Sequence, residues 1–172
     1  MRRYALLTLC LSACPLPAAD EKGVVMDFGG LKSTTPAKWV KEKPSGSMRL
    51  AQFKVPKVAG DKEDAYVVVF PKIGGSAKAN VDRWKGQMGG GDGKVTELKI
   101  AGHEATRLEI EGTYTGASLD GKSKGVTIKG AKGIFYLFAG PDDTYAIRFI
   151  GPAKTVEANA KDFDAWMKGF KK

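Results

Sequence analysis

Eight consecutive residues, Gly116-Ala117-Ser118-Leu119-Asp120-Gly121-Lys122-Ser123, match the pattern of a phosphate-binding P-loop letter for letter. That pattern works when a helix begins at its Lys-Ser end, so that backbone amides and the helix dipole meet the phosphates. Here Lys124-Gly125-Val126-Thr127-Ile128-Lys129-Gly130 follows, a run of glycines and β-branched residues that starts no helix. The stretch therefore reads as a glycine-rich loop. Gly89-Gly90-Gly91-Asp92-Gly93 fails as a dinucleotide fingerprint because it follows a helical pattern instead of a strand. His103 is the only histidine, which removes every two-histidine metal site and leaves a single base for a serine triad. No Gly-x-Ser-x-Gly elbow accompanies it. Asp61, Glu63 and Asp64, and the pair Asp142 and Asp143, lack calcium-loop spacing and read as charged turn residues. Trp84 and Trp166 fall on or beside helix stripes, whereas Trp39 stands in a turn-flanked edge segment and is the aromatic residue best suited to touch a ligand or partner. No catalytic residue, metal ligand or cofactor is assigned.

The only cysteines, Cys10 and Cys14, sit in a leader-like start: Arg2 and Arg3, then a short apolar run from Tyr4 to Ala13 with no acidic residue. Residues 1–19 are read as a signal peptide and 20–172 as one domain. Leu11-Ser12-Ala13-Cys14 resembles a bacterial lipobox, with Cys14 as the lipidated residue; ordinary cleavage after Pro17-Ala18-Ala19 is the rival. The run is shorter than the roughly 20 helical residues that cross a bilayer, so the mature chain is expected to carry no transmembrane helix. The expected location is exported: periplasmic, held to a membrane by lipid at Cys14, or otherwise secreted. The remaining domain contains no thiol, which excludes disulfides, Cys-ligated metals and a cysteine nucleophile.

The chain carries 28 basic and 19 acidic residues. Without Arg2 and Arg3 the formal charge falls from +9 to +7, still enough to favour anionic partners. For an exported protein these are an envelope protein or an anionic lipid or polymer surface, not nucleic acid. Lys122, Lys124, Lys129 and Lys132 mark the candidate surface for such a partner.

The elements that hold these residues follow from periodicity. Ala51, Phe53 and Val55 alternate with Gln52 and Lys54, and Ala65–Phe70 is apolar on both faces, the mark of a central strand covered twice. Ser76 caps a helix with a stripe at Ala77, Val81, Trp84 and Met88. Thr96, Leu98 and Ile100, then Thr106, Leu108 and Ile110, alternate across a turn at Ala101-Gly102-His103-Glu104, with Arg107, Glu109 and Glu111 outward. Residues 115–132 read as a mobile loop. Ile134–Ala139 and Tyr145–Ile150 form a hairpin about Gly140-Pro141-Asp142-Asp143. A last helix repeats at Val156, Ala160, Phe163, Met167 and Phe170, with Thr155 as its cap.

This arrangement predicts an α+β fold, an antiparallel sheet flanked by helices as an α/β/α sandwich. With Pro36-Ala37-Lys38-Trp39 early, a strand before Ser76, the helix after it, and Gly151-Pro152 leading into the terminal helix, it resembles the PsbP-like fold, and within it the DcrB-like exported bacterial proteins. The resemblance implies binding or assembly support instead of turnover. The expected function is thus a non-catalytic accessory or binding protein of the cell envelope, with a small-ligand carrier or a carboxylate-based hydrolase as alternatives.

Overall fold

A computed structural model describes residues 22–172; the leader and Cys14 lie outside the described residues. The chain opens with a small hairpin, β1 (Val25–Phe28) and β2 (Leu31–Thr34). Seven further strands form one antiparallel sheet: β3 (Val40–Glu42), β4 (Ala51–Val55), β5 (Ala65–Phe70), β6 (Lys94–Ile100), β7 (His103–Gly116), β8 (Val126–Ala139) and β9 (Thr144–Pro152), in the order β3-β4-β5-β9-β8-β7-β6. Helix α1 (Ala77–Gln87) and helix α2 (Ala153–Lys168) complete the α+β fold.

The central strands are apolar on both faces because both faces are covered. One face presents Phe53, Val67, Val69, Ile147, Phe149, Ile134, Tyr136 and Phe138 to α2 and the β1–β2 hairpin, with Trp39, Phe163, Trp166 and Phe170 filling the layer. Phe28 of the hairpin stacks on Tyr145 and Phe170 at centroid distances of 4.3 and 4.6 Å. The opposite face presents Leu108, Ile110, Phe135, Leu137, Ala146 and Ile150 to α1, whose Val81, Trp84 and Met88 form the expected buried stripe. Trp84 stacks on Phe135 at 5.2 Å. Ser76 caps α1, its hydroxyl accepting from the Ala79 amide at 3.2 Å. The helix ends against β7 at Gly112, where a Cβ would lie 2.1 Å from the Met88 carbonyl oxygen; only glycine admits that approach.

Three expectations need correction. Residues 115–132 are not one loose segment. β7 and β8 continue their ladder outward through Tyr114↔Ile128 and Gly116↔Val126, so the connecting loop is confined to 117–125. Glycine and lysine weakened the strand pattern, and cross-strand pairing with β7 restored it. Thr155 does not cap α2. It lies inside the first turn, and the carboxylate of Asp61, from the β4–β5 connection, accepts from the Thr155 amide at 2.8 Å and the Thr155 hydroxyl at 2.6 Å. A cap 94 residues away leaves no local trace. Arg107 and Glu109 are not simply outward. Arg107 Nε reaches Asp164 of α2 at 3.0 Å, its Nη1 reaches Glu109 at 2.9 Å, and Tyr136 donates to Asp164 at 2.9 Å. This half-buried network pins the end of α2 to the sheet.

Two measurements test the packing. Asp61→Ala should lower stability by about 1–2 kcal/mol, the range for losing a helix cap, read as a lower urea midpoint with an unchanged m-value. Burial alone would raise the Glu109 pKa, but hydrogen bonds from Arg107 and Lys132 outweigh it and hold the carboxyl below its ordinary value. Its contribution to stability is therefore fully present above the usual glutamate pKa of about 4.3 and is lost as pH falls through the depressed folded value. Glu109→Gln should flatten the acid limb of the stability profile below about pH 5, measured by urea unfolding across that range.

Candidate functional site: an arginine-lined groove

Strand alternation aligns one row of side chains across the α1 face: Gln52 pairs with Val68, Val68 with Arg148, Arg148 with Phe135, and Phe135 with Leu108. Arg148 is the only charged residue in Tyr145–Ile150 and occupies an inward position in the middle of the sheet. The reason it can do so is the length of α1. Its 11 residues cover β7 and β8, and the loop at 117–125 covers much of β4 and β5. Arg148 lies where these two covers meet.

The loop is fastened down by a second arginine. Arg49 donates through Nη1 to Gln52 Oε1 at 2.6 Å and to the Leu119 carbonyl at 2.8 Å, and through Nη2 to the Ser118 carbonyl at 2.8 Å. Gln52 in turn donates to Glu42 at 2.9 Å and to the Asp120 carbonyl at 3.3 Å. Leu119 and Ser118 are buried, and the fully buried Tyr114 donates to the Ala117 carbonyl at 2.9 Å. Gly121, at φ +74°, packs so closely on Ser45 of the β3–β4 connection that a Cβ would stand 1.8 Å from the serine oxygen. The loop therefore bridges two connections of the sheet and does not project into solvent.

Between them lies a groove of about 590 Å³ lined by Ser45, Ser47, Met48, Arg49, Phe70, Ser118 and Arg148. The Arg148 guanidinium rests on the Phe70 ring at 4.3 Å. Its Nη1 meets Gln87 Oε1 only at 3.4 Å, a long contact, and its Nε is sealed from solvent with no partner. Among the described residues no carboxylate pairs with it. Burial lowers its pKa to about 10, Tyr114 pulls upward, and the positive charges of Arg49 and Arg83 push it down further. Burial likewise lowers the Arg49 pKa, against the pull of Tyr114 and Asp120. Arg83 reaches this region from α1, held by Asn80. Arg49 and Arg148 thus line one groove with no salt bridge to either among the described residues, whereas Arg107, on the opposite face, is paired twice.

The residues singled out by sequence divide. Lys122, with its side chain 81% exposed, and Lys124 stand on the outside of the docked loop, and Lys129 is exposed on β8 beside it. Lys132 does not join them. Its side chain is 10% exposed and its ammonium bridges Glu109 at 3.0 Å and Glu111 at 3.1 Å, so it belongs to the network under α2. Trp39 is also corrected: a turn closed by its amide on the Pro36 carbonyl at 3.0 Å tucks the indole into the core, 4% exposed, edge-on to Trp166 at 5.5 Å. It offers no surface to a ligand. The P-loop-like residues form the docked loop, with no helix after Ser123. His103 opens β7 and lies edge-on to Phe138 at 6.3 Å, with neither carboxylate nor hydroxyl bonded to it.

Glu63, Asp64 and Asp120 do line a second pocket of about 350 Å³ on the other flank of the loop. Asp64 accepts from the Lys57 amide at 2.9 Å. The Ser118 hydroxyl, with the Lys122 amide at 2.9 Å, occupies Asp120 and holds its pKa below the usual value. A carboxyl kept ionised and already engaged is poorly suited to serve as a general acid. Among the described residues no three His, Cys, Asp or Glu side chains gather as a metal site requires, and no helix is long and apolar enough to cross a membrane.

The signal for Arg148 was present in the sequence: a lone charge at an inward phase of a strand otherwise apolar on both faces. Its meaning depended on α1 being too short to cover it. Arg49→Ala removes three hydrogen bonds from the loop and from Gln52, and should raise amide exchange at residues 118–121 by at least about tenfold, the equivalent of 1.4 kcal/mol of local opening, while leaving exchange in the β8–β9 ladder unchanged. Hydrogen-exchange mass spectrometry reads both.

No protein-family model matches the chain and no curated sequence is detectably similar to it. Among solved structures, it is similar to the cyanobacterial PsbP protein CyanoP from Synechocystis sp. PCC 6803, with 12% identity over 94% of this chain and 98% of that one, at a TM-score of 0.53. A crystal structure from Bacteroides thetaiotaomicron VPI-5482 overlaps 82% of this chain and 44% of its own, with 14% identity and a TM-score of 0.39. The first likeness establishes a PsbP-like fold; at this identity it is a likeness of fold alone, and it does not single out the DcrB-like branch.

Proposed function

We propose that this PsbP-like domain is an exported, non-catalytic accessory or binding protein of the cell envelope, recognising an anionic partner through the α1 face of its sheet. The observation that carries the reading is Arg148, a guanidinium set into the sheet with no counter-ion among the described residues. A buried cation left unpaired is costly, and a protein retains one most readily where a ligand or partner supplies the missing charge. The exposed Lys122 and Lys124 on the adjoining loop extend the positive field outward and would accelerate encounter. Enzymatic turnover finds less support, because the lone histidine has no orienting partner and Asp120 is committed to the loop. Export rests on residues 1–19, with lipidation at Cys14 as the anchoring route and plain cleavage after Ala19 as the alternative.

Two experiments test this. The purified domain should cosediment with phosphatidylglycerol vesicles or bind an acidic wall polymer at low salt, and the double change Lys122→Glu, Lys124→Glu should weaken that binding by at least about fivefold and flatten its salt dependence. Absence of binding to every anionic surface and to envelope extracts at low salt, or turnover of an ester, glycoside or phosphoester substrate, would overturn the reading. Intact-mass measurement of the protein from its native membrane fraction should show acyl chains on an amino-terminal Cys14; a mass beginning at Asp20 would replace anchoring with simple secretion.

A further inference from the structure

The chemistry of the groove narrows the anion it suits. Arg148 has a planar fork of donors resting on the Phe70 ring, engaged only by one long contact from Nη1 to Gln87, the arrangement that leaves terminal guanidinium donors free for an oxyanion. Arg49 spends its donors on the loop and on Gln52 but brings a second positive charge to the same groove. One carboxylate would neutralise only one of these. A phosphate monoester, carrying between one and two negative charges at neutral pH and three terminal oxygens, matches both the excess charge and the supply of donors. Ser45 and Ser47 also line the groove and place two hydroxyl-bearing side chains on its wall. The volume of about 590 Å³ falls in the range of small-molecule sites and exceeds what a bare ion needs. Met48, 78% exposed beside the same rim, provides an apolar contact for whatever the phosphate is attached to.

From these observations we infer that the groove between the β3–β4 connection and the 117–125 loop is a binding site for a phosphate group, with Arg148 as the direct ligand, Phe70 as its platform and Arg49 as the residue that positions the loop wall. The inference deepens the anionic-partner reading above and shares its premise of binding without turnover. The site differs from the P-loop pattern that overlaps the same loop: recognition comes from the side of the sheet, through guanidinium donors, and the loop forms a wall and not an amide cradle.

The test is thermal unfolding and isothermal titration of the whole mature chain with inorganic phosphate, at constant ionic strength and with acetate as the matched control. The expected result is saturable binding and a concentration-dependent rise in Tm with phosphate, neither of which appears with acetate. Arg148→Lys keeps the charge but loses the fork, and should weaken phosphate binding by at least about tenfold. Arg148→Met should abolish binding and, in phosphate-free buffer, melt at or above the wild-type temperature, since it removes a buried unpaired cation. The inference is overturned if acetate binds as tightly as phosphate, if Arg148→Lys binds like the wild type, or if no saturable binding occurs at millimolar phosphate. Vesicles containing phosphatidic acid, compared with phosphatidylcholine, separate the sources: binding that Arg148→Lys abolishes assigns the phosphate to a lipid headgroup, and vesicle binding indifferent to that change, with phosphate binding still sensitive to it, assigns it to a soluble ligand. Retention of an envelope partner without phosphate binding would sink this inference alone and leave the broader function standing.

Discussion

A sheet whose central strands are apolar on both sides must be covered on both sides, and the two covers here are unequal. Helix α2, 16 residues long, works with the β1–β2 hairpin and the aromatic layer of Trp39, Phe163, Trp166 and Phe170 to close one face completely. Helix α1, 11 residues long, closes only part of the other. Apolar area left in water costs about 25 cal/mol per Å², so the uncovered strands must recruit something else. What they recruit is the loop between β7 and β8, folded back by Arg49 and Gln52 and sealed by Leu119. The groove is the seam between that loop and the β3–β4 connection.

The two faces also treat charge differently. Under α2, Arg107, Asp164, Glu109, Lys132 and Glu111 satisfy one another, and Tyr136 completes the set. Such a network orients the helix on the sheet with both of its cations paired to carboxylates. On the α1 face the arginines meet carbonyl oxygens, an amide side chain and aromatic rings, but no carboxylate bonded to Arg148. Neutral acceptors satisfy geometry and leave the charge in place. That contrast within one sheet separates an arginine that fixes a helix through paired charge from one that keeps its charge among neutral groups.

The fold itself assigns none of this. A PsbP-like scaffold at 12% identity to CyanoP brings a sheet and its covers, while recognition resides in the particular side chains placed on it. In this chain the distinctive ones are concentrated where the scaffold is thinnest, on the connections at 43–50 and 117–125, which meet at Ser45 and Gly121. Loops positioned by a rigid sheet are the usual place for binding groups, and here both are tied to it by hydrogen bonds and close packing.

The sequence alone determined much of what depends on near neighbours: most strands from their alternation, α1 from Ser76 and its stripe, the hairpins from their turn residues, and the lack of a thiol after Cys14 or of a second histidine from composition. It could not decide what depends on residues far apart in the chain. Asp61 caps a helix that begins 92 residues later, Lys132 finds glutamates across a ladder, Trp39 is turned inward by a layer built largely from the last third of the chain, and Arg148 meets Phe70 and the last residue of α1. Periodicity records which side of a strand a residue faces; only the folded covers determine whether that side holds a partner, a neighbouring ring or open space.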